Sequence, residues 1–387
     1  MIKMRFCDSN ILYLDNASTT IPYKCDLPDD IWFNPSALYS IQIQEDFLKN
    51  CKEDIIQCVN MSKTGDVIFT SGATESNNLV IYSIINFFQK NYNGSQEIRV
   101  LLSPIEHPSV LNVFKHFEEE GVIKIDYFDV NEYGEIMIDT IEKKIYDNTC
   151  FCSCMYVNNE VGTIEPIEII GDICKKNNIL FHVDATQAIG KVPIDCVKSH
   201  IDFLTFSAHK FHGPKGVGAI VTKYDNLIKP LFFGGHQQRS KRPGTENLEG
   251  IYIMTQLLKK FCEIKEIKDS QITSFLCHKT IKNCLEHYFK PDEYIINSIS
   301  NIIPIMNISF KNISGEYLVE ELAKKNIYIS TGSACTTGSL EYSHVLSAMN
   351  VSEDFIDGSI RLSFDNNEIQ TNLLKDVIKK IYEIIKK

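Results

Sequence analysis

The stretch Ile201–Gly216, IDFLTFSAHKFHGPKG, decides how the chain is read. Its first half is an apolar run of strand length, which breaks at Ser207 into two histidines, two lysines and glycine-rich turn chemistry. Lys210 is therefore either a solvated surface charge or an amine held at the end of a buried strand. Outward from this point the same rhythm recurs. ILFHVDA precedes the stretch and GVGAIVTK is its continuation, while DVIFTSG, IRVLLS, VIKIDYF and CFCSCMYV upstream read as further strands. Between them, ESNNLVIYSIINFFQK carries an apolar stripe at Ile81, Ile84, Ile85 and Phe88, and PIEIIGDICKKN reads as a second helix. Strands alternating with amphipathic helices predict an α/β fold: a mostly parallel sheet covered on both faces, with functional residues beyond the strand ends.

The pattern shifts after GTENLEG. Two Lys-rich helical stretches are followed by PIMNISF, a helix near EYLVEELAKKN, the strand IYIST, and a last helix with apolar positions at Leu374, Val377, Ile378, Ile381 and Ile385. This predicts a large domain over residues 15–255 and a smaller α/β domain formed by 1–14 and 256–387, with the N-terminal strand ILYLD as the join. No repeat or low-complexity tract interrupts the series.

Composition narrows the classes. The 44% apolar content of the 387 residues is that of a globular chain, and a net charge of -11 disfavours extensive contact with nucleic acid while leaving room for a small anion pocket. No apolar run reaches the roughly 18 residues that cross a bilayer, and MIKMRFCDSNILYLDN lacks the pattern of a secretory signal, so the expectation is a cytoplasmic protein. Thirteen cysteines, an odd number spread over a long chain, fit a reducing compartment better than a disulfide scaffold. Cys150, Cys152 and Cys154 alternate in TCFCSCM, which places them on one face of a strand as core residues rather than as a metal site; no metal is expected.

Several polar groups sit just past the strands. Asp184 ends ILFHVDA with Gln187 close behind, Ser207, His209 and Lys210 end IDFLTFSAHK, and Gly72-Ala73-Thr74 turns into a helix. Each alone reads as a cap or turn residue. Together they meet the needs of pyridoxal phosphate (PLP): an amine for a Schiff base, a carboxylate for the ring nitrogen, and a helix N-terminus for the phosphate. The run TSGATES lacks the GK[ST] ending of a nucleotide loop.

At this point the sequence resembles the cysteine desulfurases of the NifS/IscS-like branch, within the class V aminotransferase superfamily of fold type I PLP enzymes. The motifs that carry the resemblance are LDNASTT, TSGATESNN, EHPSV, VNNEVGTIEPI, HVDATQAIGK, SAHKFHGPKG, RPGTEN, STGSACTTGS and SIRLSF, in order from Asp15 to Phe364. The resemblance implies a seven-stranded sheet in the large domain, Lys210 as the Schiff-base lysine, His107 stacked on the cofactor ring and carrying protons, Asp184 on the ring nitrogen and Gln187 on the ring hydroxyl. It implies Asn159 facing the cofactor and the substrate carboxylate, and Ala73, Thr74, Ser207 and His209 holding the phosphate. It further implies Thr245 reaching the partner subunit's phosphate in a homodimer with shared sites, Arg361 clamping the substrate carboxylate, and Cys335 accepting sulfur from L-cysteine as a persulfide. A sulfur-acceptor protein, such as an iron–sulfur assembly scaffold or a tRNA-thiolation protein, would receive it. Cys335 lies in a run of small residues that reads as a reachable loop, where a thiol can attack sulfur. Lys191 and Lys215 read as structural or peripheral.

Three other readings remain at this stage: a selenocysteine lyase with the same cofactor chemistry, an aminotransferase with an incidental Cys335, and a sulfur-relay scaffold without turnover. The chain also departs from the family pattern between Thr20 and Asn34, where Pro22 and Pro28 argue against the usual helix. Tyr39 stands where a histidine is common after NPSxL.

Overall fold

The computed structural model describes residues 2–3, 11–28, 31, 41–92, 97–332, 342–365 and 371–387. Cys335, Asn34 and Tyr39 lie outside the described residues.

A seven-stranded sheet dominates. Its strands are β1 (Asp66–Thr70), β2 (Ile98–Leu102), β3 (Ile123–Tyr127), β4 (Thr149–Ser153), β5 (Leu180–Asp184), β6 (Phe203–Ser207) and β7 (Gly218–Thr222), in the order β1-β7-β6-β5-β4-β2-β3. Every pair is parallel except those made by β7, which runs antiparallel to both β1 and β6. The mostly parallel sheet expected from the sequence is thus present, with one reversed strand. Residues of β2, β4, β6 and β7 are buried throughout, as sheets covered on both faces require.

Helices α1 (Ile41–Cys58), α2 (Ala73–Tyr92), α3 (Pro108–Glu119), α4 (Ile167–Lys176) and α5 (Leu248–Phe261) supply the cover. The stripe on α2 packs as its periodicity demands: Ile81, Ile84 and Ile85 are buried and Phe88 is partly so. The cysteines of β4 are core residues, but not all on one side. Cys152 and Cys154 pack with Phe181 and Val183, whereas Cys150 packs with Phe114 and Phe151. The cause is a register shift where β4 meets β2: Arg99 pairs with Thr149 and Val100 with Phe151, so Cys150 is the extra residue of a bulge and the alternation slips there.

The C-terminal part builds a second sheet, antiparallel, from β8 (Tyr294–Ile296), β9 (Ile305–Phe310) and β10 (Ser359–Ser363). Helices α6 (Ile264–Tyr288), α7 (Gly315–Ala323) and α8 (Thr371–Ile385) surround its own apolar cluster, in which Leu374, Val377, Ile378 and Ile381 meet Ile308, Ile360 and Leu362. The strand expected over IYIST is shorter, Ile327–Tyr328, and pairs in parallel with Leu12–Tyr13, so the N-terminal segment does join this unit. Residues 21–28 hold no helix; the short strand Lys24–Cys25 pairs with Ile2–Lys3.

Gly218 permits the closest approach in the large sheet. A Cβ there would meet Phe206 O at 2.6 Å and Gly72 Cα at 2.7 Å, backbone atoms that cannot swing aside. Gly218→Ala is expected to cost about 2 kcal/mol by overpacking. A lower urea midpoint with an unchanged slope would register that loss, and an unchanged midpoint would refute the close packing of the Gly72 turn.

Candidate active site

The parallel strands deliver their C-terminal ends to one edge, where a cavity of about 510 Å³ opens. Asp184 ends β5. Lys210 ends a single 3-10 turn, Ala208–Lys210, that begins directly after β6. His107 follows β2 by a short loop and caps α3, with Pro108 in the first turn, where the missing N–H costs nothing. Arg361 comes from β10 of the other unit. The cavity brings together Ala73, Thr74, His107, Asn159, Asp184, Gln187, Ser207, His209, Lys210 and Arg361, ten of the residues singled out in the sequence. Thr245 is not among them: it is exposed and lines a neighbouring pocket of about 170 Å³ with Gln238 and Arg242. Gly332, the last described residue before the segment bearing Cys335, lines the main cavity.

Each side chain is held by specific partners. Lys210 Nζ donates to Ala17 O at 2.7 Å and Ser18 O at 2.8 Å, so the LDNASTT segment fixes the amine. Gln187 Nε2 donates to Ala17 O at 2.7 Å, while Lys191 Nζ reaches Gln187 Oε1 at 3.4 Å. Burial, together with the Lys210 charge, pulls the Lys191 ammonium down to about 7. His107 Nδ1 accepts from Ser109 N at 3.1 Å, which leaves the ring proton on Nε2. Burial lowers His107 below the ordinary imidazole value, the nearby Asp184 opposing this and Lys210 adding to it. His209, bonded to Thr19 Oγ1 at 3.1 Å, is pushed down to about 4 by burial and by Lys210. Both rings are neutral donors at neutral pH.

Arg361 is 2% exposed, and its guanidinium is nearly spoken for. Nη2 donates to Asp15 Oδ1 and Ser18 Oγ, both at 2.7 Å, and Nη1 donates to Asn159 O at 2.9 Å and Gly332 O at 3.3 Å. Nε is buried and finds no acceptor among the described residues. Arg361 lines the cavity, and a planar guanidinium fork suits a small carboxylate. At the other end, α2 opens at Ala73, and Glu75 ties the turn down by accepting from Ser71 N at 2.7 Å and from Arg242 Nε at 2.8 Å. The donor set of amine, carboxylate, neutral imidazoles and helix N-terminus fits PLP.

Sequence reasoning missed what stands behind Asp184. Its Oδ1 accepts from Thr186 N at 2.9 Å and its Oδ2 from Asn77 Nδ2 at 2.8 Å. Asn77 Oδ1 accepts from Thr205 Oγ1 at 2.5 Å, Thr205 Oγ1 lies 3.1 Å from His182 Nε2, and His182 Nδ1 lies 2.9 Å from Ser153 Oγ. Only one donor order satisfies every atom: Ser153 to His182 to Thr205 to Asn77 to Asp184. His182 and Thr205 sit two residues before Asp184 and Ser207, on the same strand faces. That period-two placement was the available signal. Also unforeseen is Glu106, fully buried beside His107, whose carboxyl is raised well above its ordinary range by burial first and by Asp184 second. Carried protonated, it adds no second negative charge near Asp184.

With this geometry in hand, similarity to other proteins can be placed. The aminotransferase class-V family matches residues 36–374. The chain therefore belongs to the class-V aminotransferase family, the fold type I enzymes that bind PLP. Within it, the relatives are NifS/IscS-like cysteine desulfurases. A protein named cysteine desulfurase from Nostoc sp. is 35% identical over 97% of this chain and 93% of its own length, and one named cysteine desulfurase IscS from Methanosarcina thermophila is 36% identical over 98% and 93%. A solved structure described as a NifS-like protein superposes with a TM-score of 0.84 at 30% identity, covering 97% of this chain and 99% of the other.

Thr205→Val keeps the shape but leaves His182 Nε2–H and Asn77 Oδ1 buried without partners, an expected loss of about 2–4 kcal/mol in chemical denaturation. A loss below about 0.5 kcal/mol would mean the chain of hydrogen bonds is not formed. The buried His182, pushed down to about 4 by burial, has a sign that can be worked out. The unfolded chain takes up its proton near pH 6.5, so this contribution to stability is complete above that pH and fades as pH falls toward 4, with a slope of up to about 1.4 kcal/mol per unit. Unfolding midpoints measured from pH 7 to pH 4.5 check it.

Proposed function

We propose that this chain acts as a PLP-dependent cysteine desulfurase, converting L-cysteine to L-alanine and passing the sulfur on through a persulfide. The observation that carries the reading is the convergence of Lys210, Asp184, His107 and Arg361 on one cavity. When bound, the cofactor supplies an electron sink that makes the substrate's Cα proton and carbon–sulfur bond labile.

The residues divide the work. Lys210 Nζ would hold the cofactor and, once free, would take the substrate's Cα proton. Asp184, oriented by Asn77 and Thr186, would hold the ring nitrogen, and Gln187 the ring hydroxyl. His107, neutral with its proton on Nε2, would stack on the ring and carry protons during sulfur transfer. Ala73, Thr74, Ser207 and His209 take the phosphate at the α2 N-terminus. Arg361 and Asn159, which both line the cavity, receive the substrate carboxylate. Cys335 as thiolate attacks the substrate sulfur: the sulfur–sulfur bond forms, the carbon–sulfur bond breaks, and its electron pair stays with the three-carbon fragment, which is protonated to alanine.

The rest of the reading concerns assembly and destination. A large unit over 15–255 and a small unit of 1–14 with 256–387 draw support from two separate apolar clusters, although Leu257, Leu258 and Phe261 pack with the large one and the change of core falls later, at the junction of α5 and α6. Thr245, outside the main cavity, serves the phosphate of a partner subunit in a homodimer. The acceptor is a protein, an iron–sulfur scaffold or a tRNA-thiolation factor, in keeping with the charge of -11. Among the described residues no helix is long and apolar enough to cross a membrane, which is compatible with work in the cytoplasm.

Lys210→Ala and Cys335→Ala should fail differently. The first loses the visible absorption of bound PLP and all turnover. The second keeps the absorption but forms no persulfide, and its alanine production falls by at least about 100-fold, measured with L-cysteine and alkylation trapping. Full-rate alanine release by Cys335→Ala would remove the nucleophile assignment.

A further inference from the structure

Helices α1 and α5 run side by side in register, and the contacts between them form a ladder. Phe47 stacks on Tyr252 with ring centroids 6.0 Å apart, Cys51 bonds Thr255, and Asp54 pairs with Lys259 at 2.9 Å. Each rung advances each helix by three or four residues, about one turn, so the next joins Cys58, the last residue of α1, to Cys262, the C-cap of α5. It does, as a thiol–thiol hydrogen bond.

We propose that Cys58 and Cys262 form a reversible dithiol–disulfide pair that fastens the end of α1 to the end of α5, a modification site separate from the sulfur-transfer cysteine. Both are half-buried, so a small oxidant reaches them; of the other described cysteines Cys25 is half-buried but lies on neither helix of the ladder, and Cys51, Cys150, Cys152, Cys154, Cys174, Cys196, Cys277 and Cys284 are buried. Within the pair the two thiols share one hydrogen bond, so each is placed to resolve a mixed disulfide formed on the other. The oxidant is a low-molecular-weight disulfide. One thiolate of the pair attacks one of its sulfurs and releases one small thiol; the other thiol of the pair then displaces the second. The Sγ–Sγ bond forms, two protein thiols are oxidised, the small disulfide is reduced to two thiols, and those thiols take the two protons. The staple acts on α5, which leads directly out of the Gly244–Asn247 loop that carries Thr245.

The test uses reduced, PLP-loaded protein exposed to glutathione disulfide, digested without reductant and mapped by mass spectrometry. The expected product is a Cys58–Cys262 linked peptide that dithiothreitol removes, with a melting temperature a few degrees above that of the reduced protein. Cys58→Ser and Cys262→Ser should each lose the linkage and the shift while retaining cysteine turnover. Recovery of both thiols free, or of Cys58 as an unresolved glutathione adduct, would overturn the proposal.

Discussion

The site depends on a shared direction. Six of the seven strands of the large sheet run the same way, so groups separated by more than a hundred residues in sequence are set down along one edge. Asp184 and Lys210 end adjacent strands, and the backbone of Ala17 and Ser18 fixes the amine from the N-terminal side. Without that alignment a lysine, an aspartate and a histidine would be three unrelated polar residues. With it they face one volume, and the reversed strand β7 closes in at Gly218 to support the turn from which α2 starts.

Charge within the cavity is kept sparse. Glu106 is carried protonated, and His107 and His209 are neutral. Several of the charged groups that remain have fixed partners: Arg361 with Asp15, Glu75 with Arg242, Lys210 with the Ala17 and Ser18 carbonyls, and Asp184 at the end of a directed row of hydrogen bonds. In a desolvated site such fixed dipoles hold a carboxylate in place without admitting water. Among the described residues the small unit contributes Gly332 and, from β10, Arg361, whose guanidinium reaches across to Asp15, Ser18 and Asn159 and ties the two units together at the site.

Much of this was legible beforehand, for identifiable reasons. Strand ends announced themselves because apolar runs stop at Asp184 and Ser207, and the α2 stripe repeats at helical spacing. Other features were hidden. The bulge at Cys150 depends on how β2 pairs with β4, which no local pattern in TCFCSCM records. His182 and Thr205 looked like ordinary strand composition, because a polar residue in a strand gains meaning only when its neighbour across the sheet is known. Arg361 gave no sign of its tie to Asp15, a contact between opposite ends of the chain. Thr245 illustrates the reverse: the motif marked it, yet it lies outside the Lys210 cavity, in a neighbouring pocket with Gln238 and Arg242.

The claim on which the account rests is that the amine at the end of β6, and not Lys191 or Lys215 nearby, holds the cofactor. Borohydride reduction of the PLP-loaded protein fixes the cofactor covalently to whichever lysine carries it, and peptide mapping identifies that residue. The account predicts a pyridoxyl adduct on Lys210 alone; an adduct on Lys191 or Lys215, with Lys210 unmodified, would contradict it.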